Sequence, residues 1–147
     1  MYQRILVPTD GSALSKKAVR SAVELAASVG AEVVALNVVA RYPMSFFEGG
    51  ANVSPSEVAR VEKQWSERGQ ALADEVSKVA QKAGVTAKAI TVRSDLVAEA
   101  ILAAARKNKC DLVVMASHGR KGLKRLLLGS ETMHVLTHGD IPVLVLR

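Results

Sequence analysis

The stretch DLVVMASHGRKGLKRLLLGSE, residues 111–131, is the most informative segment of this chain for its fold class. Residues 112–116 are all apolar, which is typical of a parallel strand covered on both faces. Glycines follow at positions 119, 122 and 129, with four basic side chains among them, and Ser130 then begins a predicted helix. A buried strand, a glycine-rich basic loop and a helix in this order indicate an α/β domain with a loop suited to anions.

The same alternation of apolar runs and amphipathic stretches continues along the chain. The predicted strands cover residues 4–9, 32–40, 87–93, 111–117 and 141–147. Apolar residues recur at helical spacing between them, and Gly30 and Gly84 end the first two helices. This pattern predicts a single α/β domain over residues 1–147, a three-layer α/β/α sandwich with a parallel sheet and right-handed crossovers.

Local signals set the helix boundaries. SPSE, residues 54–57, predicts a capping box at the start of the second helix, with Pro55 in the first helical position. Ser94 or Asp95 is expected to cap the third helix. The long second helix is expected to bury one apolar stripe, formed by Val58, Val61, Trp65, Leu72, Val76 and Val79.

Composition limits the classes of function. The 147 residues are 49% hydrophobic and 23% charged, as in globular proteins, and no apolar run approaches the roughly 18 residues that span a bilayer. The opening MYQRILVPTDGS does not resemble a signal peptide, and the single cysteine, Cys110, suits a reducing compartment and a core position, so we expect a cytoplasmic protein. A net charge of +6 favours anionic partners, while 3% aromatic residues argue against single-strand nucleic-acid binding.

Two predicted strand ends carry suitable chemistry for a ligand, since parallel sheets bind ligands beyond the carboxyl ends of their strands. The first strand ends in VPTDGS (7–12), where Asp10 can accept hydrogen bonds. The fourth leads into Gly119 and then to Gly129 and Ser130, where glycine permits close approach and a helix N-terminus offers amide donors. The same residues also fit plain turns, helix caps and a solvated basic face. Neither the triphosphatase loop nor the dinucleotide fingerprint is present.

In these motifs the chain resembles the universal stress protein family, a group of small α/β proteins of the adenine nucleotide α-hydrolase-like type. The resemblance rests on ILVPTDGS, DLVVMASHGR, LLLGSE and PVLVLR. The nucleotide-binding members carry glycine, two residues, glycine, nine residues and then Gly-Ser or Gly-Thr. Here Ala116 stands at the first glycine, followed by Gly119, Gly129 and Ser130. Alanine at this position either strains a left-handed backbone or brings one methyl group close to the ligand.

The resemblance implies a five-stranded sheet in the order 3-2-1-4-5 and binding of ATP, ADP or AMP, with or without Mg²⁺. Residues matching Asp10 and Val38 lie at the base or ribose, and those matching Gly119, Gly129, Ser130 and Glu131 surround the phosphates. It also implies a homodimer through the C-terminal strand, residues 142–146, although that strand could instead be central and covered. The full set of candidate nucleotide-binding residues is Pro8, Thr9, Asp10, Val38, Met115, Ala116, His118, Gly119, Gly129, Ser130 and Glu131.

Other interpretations stay open at this point. The chain could act as a nucleotide-dependent regulator of the stress response, or as a dimeric interaction module without nucleotide. Slow ATP hydrolysis would need a base, for which Glu131 and His118 are available. Tyr42, Phe46 and Phe47 form either a lid or an anchor for a long loop. His134 and His138 have zinc-ligand spacing but lack a third ligand in the motif.

Overall fold

A parallel five-stranded sheet forms the centre of the protein. The computed structural model describes residues 1–43, 53–119 and 128–147. In these ranges the strands are β1 (Arg4–Pro8), β2 (Glu32–Val39), β3 (Ala87–Arg93), β4 (Leu112–Ala116) and β5 (Val143–Leu146), and the helices are α1 (Ala13–Val29), α2 (Pro55–Lys82), α3 (Val97–Lys107) and α4 (Ser130–His138). The strand order β3-β2-β1-β4-β5 confirms the predicted topology.

Helices cover both faces of the sheet. Successive strand residues point to opposite faces, so Ile5 and Val7 pack with α1 and α2 while Leu6 packs with α3 and α4. None of the helices in the described ranges is long and apolar enough to cross a bilayer. Cys110 lies in the core on the α3 and α4 side, as predicted, and burial raises the pKa of its thiol to about 11.

The order of the strands fixes where loops can meet. β1 pairs with β2 on one side and with β4 on the other. The connections after β1 and after β4 lead to helices on opposite faces, so their loops leave a crevice at the carboxyl ends of these strands. A buried Asn37 reinforces this end of the sheet, since its amide donates to the Thr9 carbonyl at 2.8 Å.

The helix caps were predicted correctly for α1 and α2 and wrongly for α3. Gly30 ends α1 with φ 73°, and Ser54 and Glu57 form the capping box of α2. Neither Ser94 nor Asp95 caps α3, because the residue before its first turn is Leu96, which has no capping side chain. Asp95 instead accepts the Arg41 amide at 2.9 Å. The missing cap of α3 comes from α4, since Glu131 accepts the Ala98 amide.

The predicted stripe on α2 was also wrong in part. The buried face of α2 consists of Gly69, Ala73, Val76 and Ala80, whereas Val79 is 41% exposed. A 28-residue helix is about 42 Å long and the eight-residue β2 about 26 Å. The first turns of α2 therefore extend past the sheet, and small residues take over where the helix packs closely on β2.

Gly69 tests this close packing. A Cβ at Gly69 would lie 2.6 Å from Val39 Cγ2 and closer still to Asn37 Oδ1. Helix propensity alone favours alanine by about 1 kcal/mol. We nevertheless expect Gly69→Ala to lower the free energy of unfolding by about 1–3 kcal/mol, because the overpacked contact outweighs propensity. Urea denaturation measures this change.

The control for Gly69→Ala is Ala71→Gly, at an exposed position of the same helix. It isolates helix propensity and is expected to cost about 1 kcal/mol. A gain of stability from Gly69→Ala similar to the loss from Ala71→Gly would show that α2 does not press on Asn37.

Candidate functional site

The loops after β1 and β4 meet at Asp10 and Gly119. The Asp10 Oδ1 atom accepts the Ser12 amide at 2.9 Å, which directs the carboxylate across the crevice. A Cβ at Gly119 would lie 2.9 Å from the Asp10 Oδ2 atom. Glycine at position 119 therefore allows the carboxylate of the first loop to lie against the backbone of the second.

The start of α4 is fixed to the end of β4. The Gly129 amide donates to the Ser117 carbonyl at 2.7 Å, and Thr132 Oγ1 donates to the Ala116 carbonyl at 3.0 Å. Gly129 has φ −61°, so its backbone does not require glycine. The close packing of this residue does require glycine, because a Cβ there would lie 3.2 Å from both the Ser117 oxygen and the His118 Cα.

The first turn of α4 offers amide donors beside this contact. Ser130, Glu131 and Thr132 are its first three residues, and no acceptor meets their amides among the residues that the structure describes. Unpaired amides and the helix dipole make such a turn favourable for an anion. Asp10 and this turn both adjoin the segment from Ser117 to Gly119, which brings the two sequence signals into one site.

Ala116 carries no backbone strain. It is the last residue of β4, half-buried and opposite Leu146. Among the described non-glycine residues, only Lys109 has a positive φ. Alanine at this position therefore does not strain the backbone. Its effect is limited to bringing one methyl group close to a ligand.

Glu131 caps another helix. Its Oε2 atom accepts the Ala98 amide at 2.9 Å, at the start of α3. The carboxylate therefore supplies the cap that Ser94 and Asp95 do not provide. In this position the Glu131 side chain links α4 to α3, while the Glu131 amide remains in the first turn of α4.

Three predicted residues can offer a ligand little beyond their backbone. Val38 and Met115 belong to the core between the sheet and α3 and α4. Pro8, the last residue of β1, is half-buried and pairs with Leu36. Since their side chains serve packing, only backbone atoms at these strand ends are suited to contact a base or ribose.

Thr9 and His118 make local hydrogen bonds. Thr9 is 7% exposed, and its hydroxyl lies 3.4 Å from Ser15 Oγ. His118 Nδ1 lies 3.2 Å from Ser117 Oγ. The His118 contact fits a turn-stabilising role, and its imidazole stays next to the loop that Gly119 continues.

The sequence interpretation missed three polar positioning residues, namely Asn37, Ser117 and Thr132. All three are buried, at 7%, 5% and 2% exposure. Each joins one element of the crevice to another through a hydrogen bond. Asn37 had a visible signal, since it is the single polar residue after Glu32 in the valine-rich run EVVALNVVA.

The remaining predicted features lie elsewhere. Arg120, Lys121, Gly122, Lys124, Arg125, Phe46 and Phe47 are outside the described residues. Tyr42 stacks on Trp65 with 6.0 Å between ring centroids and donates its amide to Glu62, which supports the anchoring role. The rings of His134 and His138 stack at 4.2 Å, and the described residues contain no group of three or more metal-ligating side chains.

Fold and crevice together define a small α/β protein with a candidate ligand site at the carboxyl ends of a parallel sheet. Comparison with known proteins identifies the group. The model of the universal stress protein family matches residues 1–147, and the chain belongs to that family.

Individual relatives agree over the full length. Universal stress protein MJ0531 of Methanocaldococcus jannaschii is 34% identical over 154 residues, covering 100% of this chain and 83% of the relative. The solved structure of MJ0577 has a TM-score of 0.83 at 27% identity, covering 99% and 96% of the two chains. A universal stress protein solved in complex with cAMP has a TM-score of 0.69 at 27% identity, covering 99% and 97%.

The cap from Glu131 gives a direct prediction. We expect Glu131→Ala to lower the free energy of unfolding by about 1 kcal/mol, because the first turn of α3 loses its acceptor. Amide hydrogen exchange at Ala98 should accelerate more than exchange in the middle of α3. Glu99→Ala is the matched control, an exposed acid in the first turn of α3. Unchanged protection at Ala98 in Glu131→Ala would contradict the capping role.

Proposed function

We propose that this protein binds an adenine nucleotide, ATP or its products ADP and AMP, at the carboxyl ends of β1, β2 and β4. We further propose that it acts as a nucleotide-dependent regulator of the stress response in the cytoplasm. The observation that carries the proposal is the convergence of Asp10 and the first turn of α4 on the segment 117–119. The relative solved with cAMP supports an adenine nucleotide as the class of ligand.

The two sides of the crevice suit different parts of a nucleotide. The amides of Ser130 and Glu131, the Ser130 hydroxyl and the exposed Gly119 backbone suit phosphate oxygens. A carboxylate has sites for several hydrogen bonds, so Asp10 can accept from a ribose hydroxyl or an adenine amino group while it holds Ser12. Backbone atoms at Pro8, Thr9, Val38, Met115, Ala116 and His118 line the remaining edge in this proposal.

Mg²⁺ enters the proposal only with a polyphosphate. The described residues contain no cluster that could hold the ion by protein ligands alone. Mg²⁺ usually retains several waters and binds substrate phosphates. Phosphate oxygens and water would therefore provide most of its ligands here, and the ion would offset charge beside the amides of α4.

The identity of the nucleotide can be measured on freshly purified protein. Denaturation followed by chromatography and mass spectrometry would release and identify a co-purified ligand. We expect an adenine nucleotide near one per chain, or saturable binding when ATP with Mg²⁺ and AMP are titrated separately. Failure of both would favour the interaction module without nucleotide.

Ser130→Pro tests the amide of α4 with little effect on the helix. Ser130 is the first helical residue, where proline is well tolerated, and Gly129 before it has φ −61° and ψ 153°, which proline allows. The variant removes both the amide hydrogen and the hydroxyl. We expect the affinity for ATP to fall about 10- to 100-fold, since an amide bond to a charged phosphate is lost.

Ser130→Ala is the matched control, because it removes the hydroxyl and keeps the amide. Its loss of affinity should be the smaller of the two, and both variants should keep the wild-type Tm within a few degrees. Calorimetric titration measures the affinities. Equal affinity of Ser130→Pro and wild type would place the phosphates elsewhere.

We propose in addition that two copies pair along β5. This strand is an edge of the sheet, which answers the question of whether it is central. Leu144, Met133 and Leu136 are exposed at 42%, 48% and 39% on β5 and the adjoining α4. An apolar edge strand beside exposed apolar side chains favours pairing with a second chain through residues 142–146.

Val145→Pro tests this pairing. Backbone groups of Pro142 and Leu146 face β4, because they accept from Val113 and Ser117. By alternation Val143 and Val145 direct their amides away from β4. Proline at position 145 therefore removes an outward amide and is tolerated on such an edge. We expect light scattering to show a dimer for wild type and Val145→Ala and a folded monomer for Val145→Pro, whereas a monomeric wild type would refute the pairing.

A further inference from the structure

A second cleft lies at the opposite end of the sheet, at the amino ends of the strands. Its volume is about 370 Å³, and Arg4, Lys88, Lys107, Lys109 and Glu32 supply its charged lining. The remaining lining residues are uncharged, namely Val33, Val34, Thr86, Ala87 and Asn108. None of the candidate nucleotide residues belongs to it, so the nucleotide proposal does not account for this cleft.

Positive charge predominates in the cleft. Among the described residues, Glu32 is the only acid in the lining, and it pairs with Arg4, whose Nη2 atom lies 2.9 Å from Glu32 Oε2. Lys88 donates to the neutral Asn108 side chain at 3.2 Å and has no carboxylate partner in the described ranges. Lys107 and Lys109 form no ion pair within the part of the chain that the structure describes. Three ammonium groups therefore line one cleft, and no described carboxylate pairs with them.

Asn108 orders the cationic groups. Its backbone carbonyl accepts from Arg4 Nη1 at 2.8 Å, and its side-chain oxygen accepts from Lys88. Its own amide nitrogen donates to the Ala104 carbonyl at 2.8 Å, which fixes the side chain to the end of α3. Asn108 thereby holds two cationic side chains from different strands in place. Because these side chains are already ordered, less conformational entropy is lost when a ligand binds.

The backbone of Lys109 is the strongest sign that charge is needed here. Lys109 has φ 54°, in the left-handed region, and follows Asn108, the C-cap of α3. At the corresponding places after α1 and α2 the chain has Gly30 and Gly84, each with φ 73°. Glycine adopts this conformation without steric cost and lysine does not. Arg106 and Lys107 already provide basic charge in the last turn of α3, so interaction with the helix dipole does not explain a further lysine.

We propose that this cleft binds a small polyanion that carries two or more phosphate groups. The uncompensated ammonium groups recognise the charge, and the volume suits a small molecule. An inorganic polyphosphate and a phosphorylated metabolite share this chemistry. The site is independent of the nucleotide crevice and lies at the opposite end of the sheet, at the amino ends of the strands.

Inorganic tripolyphosphate is the first probe, titrated into the full chain and followed by calorimetry and amide chemical shifts. We expect chemical shift changes at the amides around Lys88 and Asn108, which lie at the opposite end of the sheet from Gly129. Lys109→Gly should weaken binding about tenfold through the lost charge-assisted contact. The same variant should raise Tm by about 2–4 °C, because the left-handed backbone is relieved. A structural role for Lys109 would not combine weaker binding with higher stability.

Two matched variants complete the test. Lys78→Gln removes the same charge from an exposed position on α2 outside the cleft and should leave binding unchanged. Ser130→Pro should leave tripolyphosphate binding at the cleft unchanged, which separates this proposal from the nucleotide crevice. Fructose 1,6-bisphosphate, as a second probe, distinguishes a phosphorylated metabolite from a linear polyphosphate. Absence of binding to both probes, shifts confined to Gly129, or equal losses in Lys109→Gly and Lys78→Gln would overturn the proposal.

Discussion

The contact between the start of α4 and the end of β4 is the constraint on which the crevice depends. Gly129 and Ser117 are twelve positions apart in the sequence and are joined by a hydrogen bond of 2.7 Å. The end of β4 and the start of α4 are therefore held side by side. The hydroxyl of Thr132 repeats the attachment one turn later. Because Gly129 has an ordinary φ, its importance is steric, since a Cβ there would lie 3.2 Å from the Ser117 oxygen and the His118 Cα and would press on the end of β4.

Asn37 has a similar role on the other side of the crevice. A buried amide is costly unless it is hydrogen-bonded, and Asn37 donates to the carbonyl of Thr9 at 2.8 Å. Its oxygen faces Gly69 of α2, so one polar side chain connects β2, the loop after β1 and α2. Packing of the long helix and placement of Asp10 are therefore coupled. A change on α2, far from the crevice in sequence, can alter the loop that carries Asp10.

Sequence reasoning predicted the strands, the helices and the α/β class because these depend on periodicity, which each segment carries by itself. The strand order came from the family resemblance. Reasoning from local sequence failed where a partner distant in sequence decides the outcome. Glu131 caps α3 across 33 residues, which no local pattern near Ser94 or Asp95 reveals. The buried face of α2 depends on how the helix is rotated against the sheet, so small residues such as Ala73 and Ala80 are buried while Val79 is 41% exposed.

The two ends of the sheet attract anions for different reasons. At the carboxyl ends of the strands the helices begin, so backbone amides and dipoles provide positive potential without a charged side chain. At the amino ends the helices finish, and their carbonyl groups would repel an anion. Lys88, Lys107 and Lys109 reverse that sign with full charges on exposed side chains. Exposed charges are screened by salt more strongly than backbone groups in a close hydrogen bond. A rise in ionic strength should therefore weaken anion binding at the cleft by the amino ends of the strands more than at the crevice beside α4.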